Sequence, residues 1–334
     1  MILPLALAFL LLAVLALGYV ARLRFLLQDP TPHAEPAATS HAPDDPGAGG
    51  PPRAALITGA SGGIGSEVAL CLAQRGFAPI LLGRDSARLH ALAHTLHQRY
   101  CLTSHILLAD LSLPGAAPAI AAELARRNLH VTVLANCAGF AVHGNVDHAD
   151  PAALRDMLHV NILALTELTR LLLPPMLARG SGYVLNISSV AAFMPGPLLA
   201  AYFASKAYVL SFSEALAQEV AGRGVSVTAS CPGPTDSHFS RRAGLERTRA
   251  FSGRVMQADI VARISVDALF RRRRVVIPSL LLKLQLIPAR WLPRRALAVI
   301  AQHYHTTPPA PPPPASLPDG LPRDKPLSSL PSAP

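Results

Sequence analysis

Tyr202 and Lys206, four residues apart in the run YFASK, are the clearest chemical pairing in the sequence. On a helix that spacing stacks a phenol and an ammonium on one face. The opposite charge is expected to favour the phenolate and lower the phenol's pKa toward working pH, giving a proton donor or acceptor for a carbonyl or an alcohol. Ser189 precedes Tyr202 by thirteen residues. It follows an apolar run, 183–187, that reads as a strand, so its hydroxyl is expected at the strand's carboxyl end; Ser188 is the rival. With six Tyr and three Lys in 334 residues such a pair is infrequent by chance, and it takes its meaning from what surrounds it.

The elements that must position these groups begin at residue 53. Residues 54–58 read as a short apolar strand running into GASGGIG (59–65) and then a helical pattern to Arg75. Small residues there let the backbone approach a pyrophosphate, which the helix amides and their positive end would meet. Strand and helix then alternate: strand 79–82, helix 86–100, strand 105–109, helix 115–127, strand 131–135. That alternation implies an α/β fold, a doubly wound parallel sheet of the Rossmann type in a three-layer α/β/α arrangement. Arg84 follows the second strand where an acidic residue would bond a ribose 2′-hydroxyl, so a 2′-phosphate, and NADP(H) over NAD(H), is favoured. Asp110 follows the third strand as a candidate acceptor for the adenine amino group. Asn136 and Gly139 end the fourth, and Asp150-Pro151 is a good cap and first-turn pair for a long helix through Asn161.

The segments TGASGGIG (58–65), NCAG (136–139), Asn161, Ser189, YFASK (202–206) and CPGPTDS (231–237) resemble, in order and spacing, the motif set of the short-chain dehydrogenase/reductase family. The resemblance covers about residues 53–277. It implies an oxidoreductase that interconverts a ketone or aldehyde and an alcohol by hydride transfer. Tyr202 would be the general acid/base, Lys206 would lower its pKa and hold the nicotinamide ribose, Ser189 would bond the substrate oxygen, and Asn161 would hold a water in the proton relay. Cofactor contacts are implied for Gly59, Ser61, Gly63, Ile64, Gly65, Arg84, Asp110, Asn136, Ala138, Gly139, Tyr202, Lys206, Pro232, Gly233, Thr235 and Ser237. Cys137 stands where the family commonly has Asn, and Ser237 where it commonly has Thr. The family commonly assembles as dimers or tetramers through its long helices, so a homo-oligomer is expected.

A net charge of +10, carried by 27 Arg and three Lys against 20 acidic residues, implies an acidic partner: a phosphate cofactor, nucleic acid or an anionic membrane. Nucleic acid is disfavoured, because the Arg271–Arg274 run abuts a strand and no aromatic–basic platform accompanies it. Cysteines at 71, 101, 137 and 231 form no C-x-x-C pair, so neither a disulfide framework nor a zinc site is indicated. His90, His94 and His97 read as a solvated helix face, not a metal site.

Residues 1–24 read as a membrane anchor. The first twenty carry no charge, and twelve of them are Leu, Ile, Val or Phe, an insertion term of about −4 to −7 kcal/mol. A cleaved signal peptide is the competing reading, against which stand the length of the run and the missing basic n-region. Arg22 and Arg24 then keep the catalytic domain cytoplasmic. Residues 25–52 read as a flexible linker, 53–277 as the catalytic domain, and 278–305 as a basic amphipathic element beside a membrane or, alternatively, a packing helix. Residues 306–334, rich in Pro, read as a disordered tail. The segment 238–257 is expected to form a mobile lid or an ordinary loop. Phe140, Val142, Phe193, Met194, Leu198 and Phe239 sketch an apolar substrate pocket, which together with the anchor points to a lipophilic carbonyl or alcohol. A non-enzymatic NADP-binding sensor or scaffold is the rival class.

Overall fold

The computed structural model describes residues 53–307, except 253, 254 and 290, and leaves the side chains of 238 and 242 undescribed. The anchor and linker expected over 1–52, and the tail from 308, lie outside the described residues. Among the described residues, nine strands occur in chain order: β1 (Ala54–Thr58), β2 (Ala78–Gly83), β3 (His105–Leu108), β4 (Val131–Asn136), β5 (Gly182–Ile187), β6 (Val225–Ser230), β7 (Thr235–Asp236), β8 (Met256–Gln257) and β9 (Val275–Val276). Seven form one parallel sheet in the order β3-β2-β1-β4-β5-β6-β9, and β7 pairs with β8. The order reverses between β1 and β4, and the carboxyl ends beside that switch are where a doubly wound sheet binds its ligand.

The helices are α1 (Ile64–Ala73), α2 (Ser86–Tyr100), α3 (Ala116–Arg126), α4 (Pro151–Leu158), α5 (Leu165–Ala178), α6 (Ala200–Glu219), α7 (His238–Ala243), α8 (Arg249–Ser252), α9 (Ala258–Phe270), α10 (Leu280–Ala289) and α11 (Arg294–His305). The central strands are apolar on both faces because both faces are covered. Ala55, Ile57, Leu81, Val133 and Leu185 pack with α1, α2 and α9. Leu56, Leu82, Leu134 and Val184 pack with α3, α5 and α6. The result is the three-layer α/β/α arrangement expected from the alternation.

Local chemistry accounts for the helix ends. Asp85 caps α2 by accepting from Arg88 N at 3.1 Å, and Asp150 caps α4 through Ala152 N and Ala153 N, with Pro151 in the first turn. Between α4 and α5 the ladder widens into a π turn over His159–Ala164, which carries Asn161. Among the described residues, one helical run, Pro151–Ala178, is long and apolar enough to cross a membrane. It is a wall of the core, with Leu168 and Met176 fully buried.

The region 238–257 is more structured than the expected lid or loop. It contains α7, α8 and β8; Ala243, Leu245 and Thr248 are buried, and Phe239 and Phe251 are half-buried. The C-terminal element divides into two helices. α11 buries Leu297 and Ala301 and is tied to α8 by Arg249, which donates to the His303 carbonyl at 3.1 Å. α10 leaves a row of leucines exposed.

Candidate active site

Three of the motif segments converge at the switch point. Gly59, at φ +68°, lies against β4's end so closely that a Cβ would come within 2.9 Å of Ala138 Cα, and a Cβ at Gly65 would collide with the Gly59 carbonyl. Any side chain here would close the cradle, which is why the loop is glycine-rich. Gly63 is the N-cap of α1, and among the described residues no side chain caps that helix. Ile64 and Gly65 open α1, so their amides and the helix's positive end face a ready anion position. A Cβ at Gly63 would sit 3.1 Å from Ser237 Cβ, which brings the Pro232–Ser237 segment over the glycine loop. Ser61 lies beside Gly83, at the end of β2. A bare helix start, an exposed Arg84 and a glycine floor fit a dinucleotide phosphate chain.

Arg84 and Asp110 pair with each other at 3.0 Å, at the ends of β2 and β3. Burial pushes the Asp110 carboxyl up, but the bonds from Ser112 and Arg84 outweigh it and hold it below the usual carboxylate range. An exposed ion pair of this kind is worth about 0–1 kcal/mol, less than a charge-assisted bond to a phosphate at about 1.5–3 kcal/mol. The pair therefore leaves the Arg84 guanidinium at the sheet edge without strongly withholding it from an anion.

Tyr202 and Lys206 lie on α6, one turn apart. Lys206 is 5% exposed, its Nζ donates to the Ile187 carbonyl at 2.9 Å, and it lies 5.7 Å from the centre of the Tyr202 ring. Gly139 gives this ammonium room, since a Cβ there would be 3.3 Å from Lys206 Nζ and 3.1 Å from Asn161 Oδ1. The expectation that Lys206 lowers the phenol's pKa is corrected in the protein alone. Burial pushes Tyr202 up to about 12, opposed by the Ser189 hydroxyl, and burial pulls Lys206 down to about 8. The ammonium faces a carbonyl and the ring, so desolvation outweighs attraction between the two groups. Burial likewise lifts the Cys137 and Cys231 thiols to about 12, with Lys206 pulling each the other way.

The two serines separate cleanly. Ser188 is buried and donates to the Lys206 carbonyl at 2.8 Å, which anchors α6 to the end of β5. Ser189 accepts from Ala191 N at 3.1 Å, contacts the Pro232 carbonyl at 3.4 Å and lowers the phenol's pKa, so it faces Tyr202. Asn161 is buried, donating to the Phe140 carbonyl at 3.0 Å and to Ser205 Oγ at 3.1 Å, and accepting from Phe140 N. Its amide thus fixes the loop after β4, and a relay water held by Asn161 would have to use the main chain.

Asn136 ends β4, as expected, but its side chain turns into the core. It shares Leu134's face of β4, and its amide bonds Thr169 Oγ1 and Asn186 Oδ1 inside the core, with Asn186 continuing to Ser213. Its side chain therefore joins α5 and α6 to the sheet, and what it offers the cleft is backbone. Thr58 stands first in the motif segment 58–65, but no role is expected for it from the sequence. Its hydroxyl accepts from both Cys137 N and Ala138 N at 3.0 Å, pinning β4's end to β1; a hydroxyl directly before a glycine loop was the available signal. Thr235 is buried and donates to the Gly233 carbonyl, and Ser237 caps α7.

Of the expected pocket residues, Met194 and Phe239 pack with Tyr202 in one apolar cluster with Ala141, Leu199, Phe203 and Leu245. The Phe239 ring lies 5.5 Å from that of Tyr202. Leu198, at φ +68°, holds the pocket loop by accepting from Gly144 N at 2.8 Å. Phe140 and Val142 are half-buried beside it, whereas Phe193 is exposed. The cluster also includes members absent from the expected set: Ala301 packs into it from α11, and the His305 ring meets Phe203 edge-on at 5.2 Å. His143 bonds the His305 carbonyl at 3.0 Å.

Comparison with known proteins places this arrangement. The model of the short chain dehydrogenase family matches residues 53–247. The chain is 32% identical over 183 residues to very-long-chain 3-oxoacyl-CoA reductase-B of Danio rerio, 53% of this chain and 58% of that protein. It is 34% identical over 193 residues to dehydrogenase/reductase SDR family member 7B of Danio rerio, 56% of this chain and 62% of that one. It therefore spans less than two thirds of either relative. The solved short-chain dehydrogenase from Sphingobium yanoikuyae in complex with NADPH superposes with a TM-score of 0.65 at 33% identity, over 72% of this chain and 91% of the other. With the motif segments gathered at one sheet edge and this match across them, the chain belongs to the short-chain dehydrogenase family.

Proposed function

We propose that this protein is an NADP(H)-dependent oxidoreductase that interconverts a carbonyl and an alcohol on a lipophilic substrate such as an acyl, steroid-like or other lipid carbonyl. Residues 1–24 hold it to a membrane, with its catalytic domain on the cytoplasmic side. The observation that carries the reading is the meeting of Tyr202, Lys206 and Ser189 at the edge of an apolar cluster, directly beside the glycine cradle. The relatives' names, which include a very-long-chain 3-oxoacyl-CoA reductase, support a lipid substrate. Leu163, Leu171 and Tyr208, exposed on the helical segments around α5 and α6, support a homo-oligomer through those helices.

A bound nicotinamide supplies or accepts the hydride. The chain's own groups manage the oxygen. Ser189 donates a hydrogen bond to it, and Tyr202, a protonated phenol at neutral pH, delivers the proton as negative charge develops there. Lys206 provides a buried positive charge near the phenol and a donor for a ribose hydroxyl. Asn161, by fixing Phe140, holds the wall opposite. The apolar side chains of Met194, Phe203 and Phe239 exclude water from the reacting centre.

Full-length protein in detergent, screened for NADPH oxidation over long-chain acyl, steroid-like and small carbonyls, is expected to turn over the lipophilic ones. NADPH binding without turnover of any carbonyl would instead favour a sensor or scaffold. NADPH is expected to bind more tightly than NADH, and Arg84→Ala to reduce that preference by about tenfold or more, the worth of one charge-assisted bond. Equal affinities in the unsubstituted protein, measured by fluorescence titration, would reject the part assigned to Arg84.

A further inference from the structure

Helix α10 keeps its exposed residues on one side. Leu280, Leu281 and Leu284 are 68%, 65% and 48% exposed, and Gln285 and Pro288 continue the strip, while Leu282, Leu286 and Ile287 turn inward. Beyond it Leu292, and on α11 Val299 and Ile300, are exposed as well. Single exposed leucines are ordinary on a protein surface, but a row along one helix marks an interaction face. The surrounding charge identifies its partner. Residues 268–307 contain eight Lys and Arg and no Asp or Glu, and Arg271, Arg294 and Arg295 are exposed. An apolar strip among cations is the chemistry of a helix lying in an anionic lipid interface. A second copy of the chain would bring the same cations against each other.

The inner side of α10 backs the candidate site. Leu282 abuts the Pro232-Gly233 turn so closely that a Cβ at Gly233 would collide with its Cδ1. α11, which follows α10, ends against Phe203, next to Tyr202. We propose that α10 docks on an anionic bilayer and sets the mouth of the Tyr202 cleft against the acyl chains, so that a lipid carbonyl enters from the membrane and not from water. This extends the lipophilic-substrate reading above and rests on it for its purpose, but its test does not depend on turnover.

Trp291, the single tryptophan of the chain, lies just past α10 and reports on it. Full-length protein is reconstituted in phosphatidylcholine–phosphatidylserine vesicles with acyl chains brominated near the headgroup. Trp291 emission is expected to be quenched relative to unbrominated vesicles. The combined Leu280→Asp, Leu281→Asp and Leu284→Asp variant is expected to lose that quenching while keeping NADPH binding, which reports its folding. Should the variant fail to bind NADPH, replacing phosphatidylserine with phosphatidylcholine around the unsubstituted protein serves instead and is expected to weaken the quenching. Unquenched emission from the unsubstituted protein, or equal quenching in the folded variant, would overturn the proposal. Emission shielded from aqueous iodide yet insensitive to brominated lipid would mark a protein contact and would overturn it too. Quenching without turnover of any carbonyl would leave the docking face standing and remove the enzymatic reading alone.

Discussion

Tyr202→Phe is expected to lower kcat/KM for carbonyl reduction by roughly 10²- to 10⁴-fold, the usual contribution of a positioned general acid, while NADPH affinity stays within a few-fold. The phenyl ring keeps the contacts with Phe239 and Phe203, so the fold and the apolar cluster survive and the loss isolates the hydroxyl. Stopped-flow or steady-state NADPH oxidation with a lipid carbonyl, paired with a cofactor titration, measures both. Turnover unaffected by the change would reject the assigned mechanism. Because burial holds the phenol at about 12, the free protein presents an acid throughout the neutral range. Reduction is therefore expected to be level with pH up to about 8. Above that, Lys206 loses its proton and activity falls.

Lys206→Met has the second large effect, and it separates catalysis from stability. Removing the ammonium is expected to weaken cofactor binding by roughly 10- to 100-fold, the worth of a charged hydrogen bond, and to depress turnover further. Its effect on stability depends on pH. The folded value of about 8 lies below the ordinary 10.5, so between those limits the unfolded chain binds more protons than the folded one. The stability this group contributes is therefore lowest below pH 8 and recovers as pH rises toward 10.5, by at most about 1.4 kcal/mol per pH unit. Urea unfolding without cofactor at pH 7.5 to 10 is expected to show the unsubstituted protein gaining on the variant as pH rises. The Ile187 carbonyl loses its partner in the variant at every pH, so that cost leaves the slope untouched. Parallel stability curves would show that the ammonium is not buried at a cost.

Much of this site is legible in the sequence because it is assembled from short motifs. The glycine cradle, the Tyr202–Lys206 turn of helix and Ser189 after an apolar strand each depend on neighbours within a few residues, where helix period and strand period are readable. What escaped the sequence depends on contacts made at a distance. Arg84 and Asp110 meet across 26 residues, and Arg249 reaches the His303 carbonyl across 54. The cap over the pocket draws on Phe239, Leu245, Phe251 and Ala301, which show no common period because they come from three separate helices and the loop between two of them. The side of β4 that Asn136 occupies depends on strand phase, and β1 and β4 change register between Ala54 and Ala55. The Tyr202 phenol shifted opposite to expectation for the same reason: the partner charge is local, but burial is supplied by the whole fold.

The π turn between α4 and α5 has a consequence for how this chain can change length. One extra residue in a helical ladder rotates everything on one side of it by about 100° relative to the other. Met157 before the turn and Leu168, Leu172 and Met176 after it are all buried, so both halves are phased to their neighbours through that single added residue. Deleting one residue within His159–Ala164 would leave an unbroken helix but swing Met157, or else the sheet-facing leucines, more than a quarter turn away. Substitutions there act locally, the largest at Asn161, whose side chain holds three hydrogen bonds to Phe140 and Ser205. The spacing between Pro151 and Ala178, more than its composition, is what must be kept constant for Asn161 to reach Phe140.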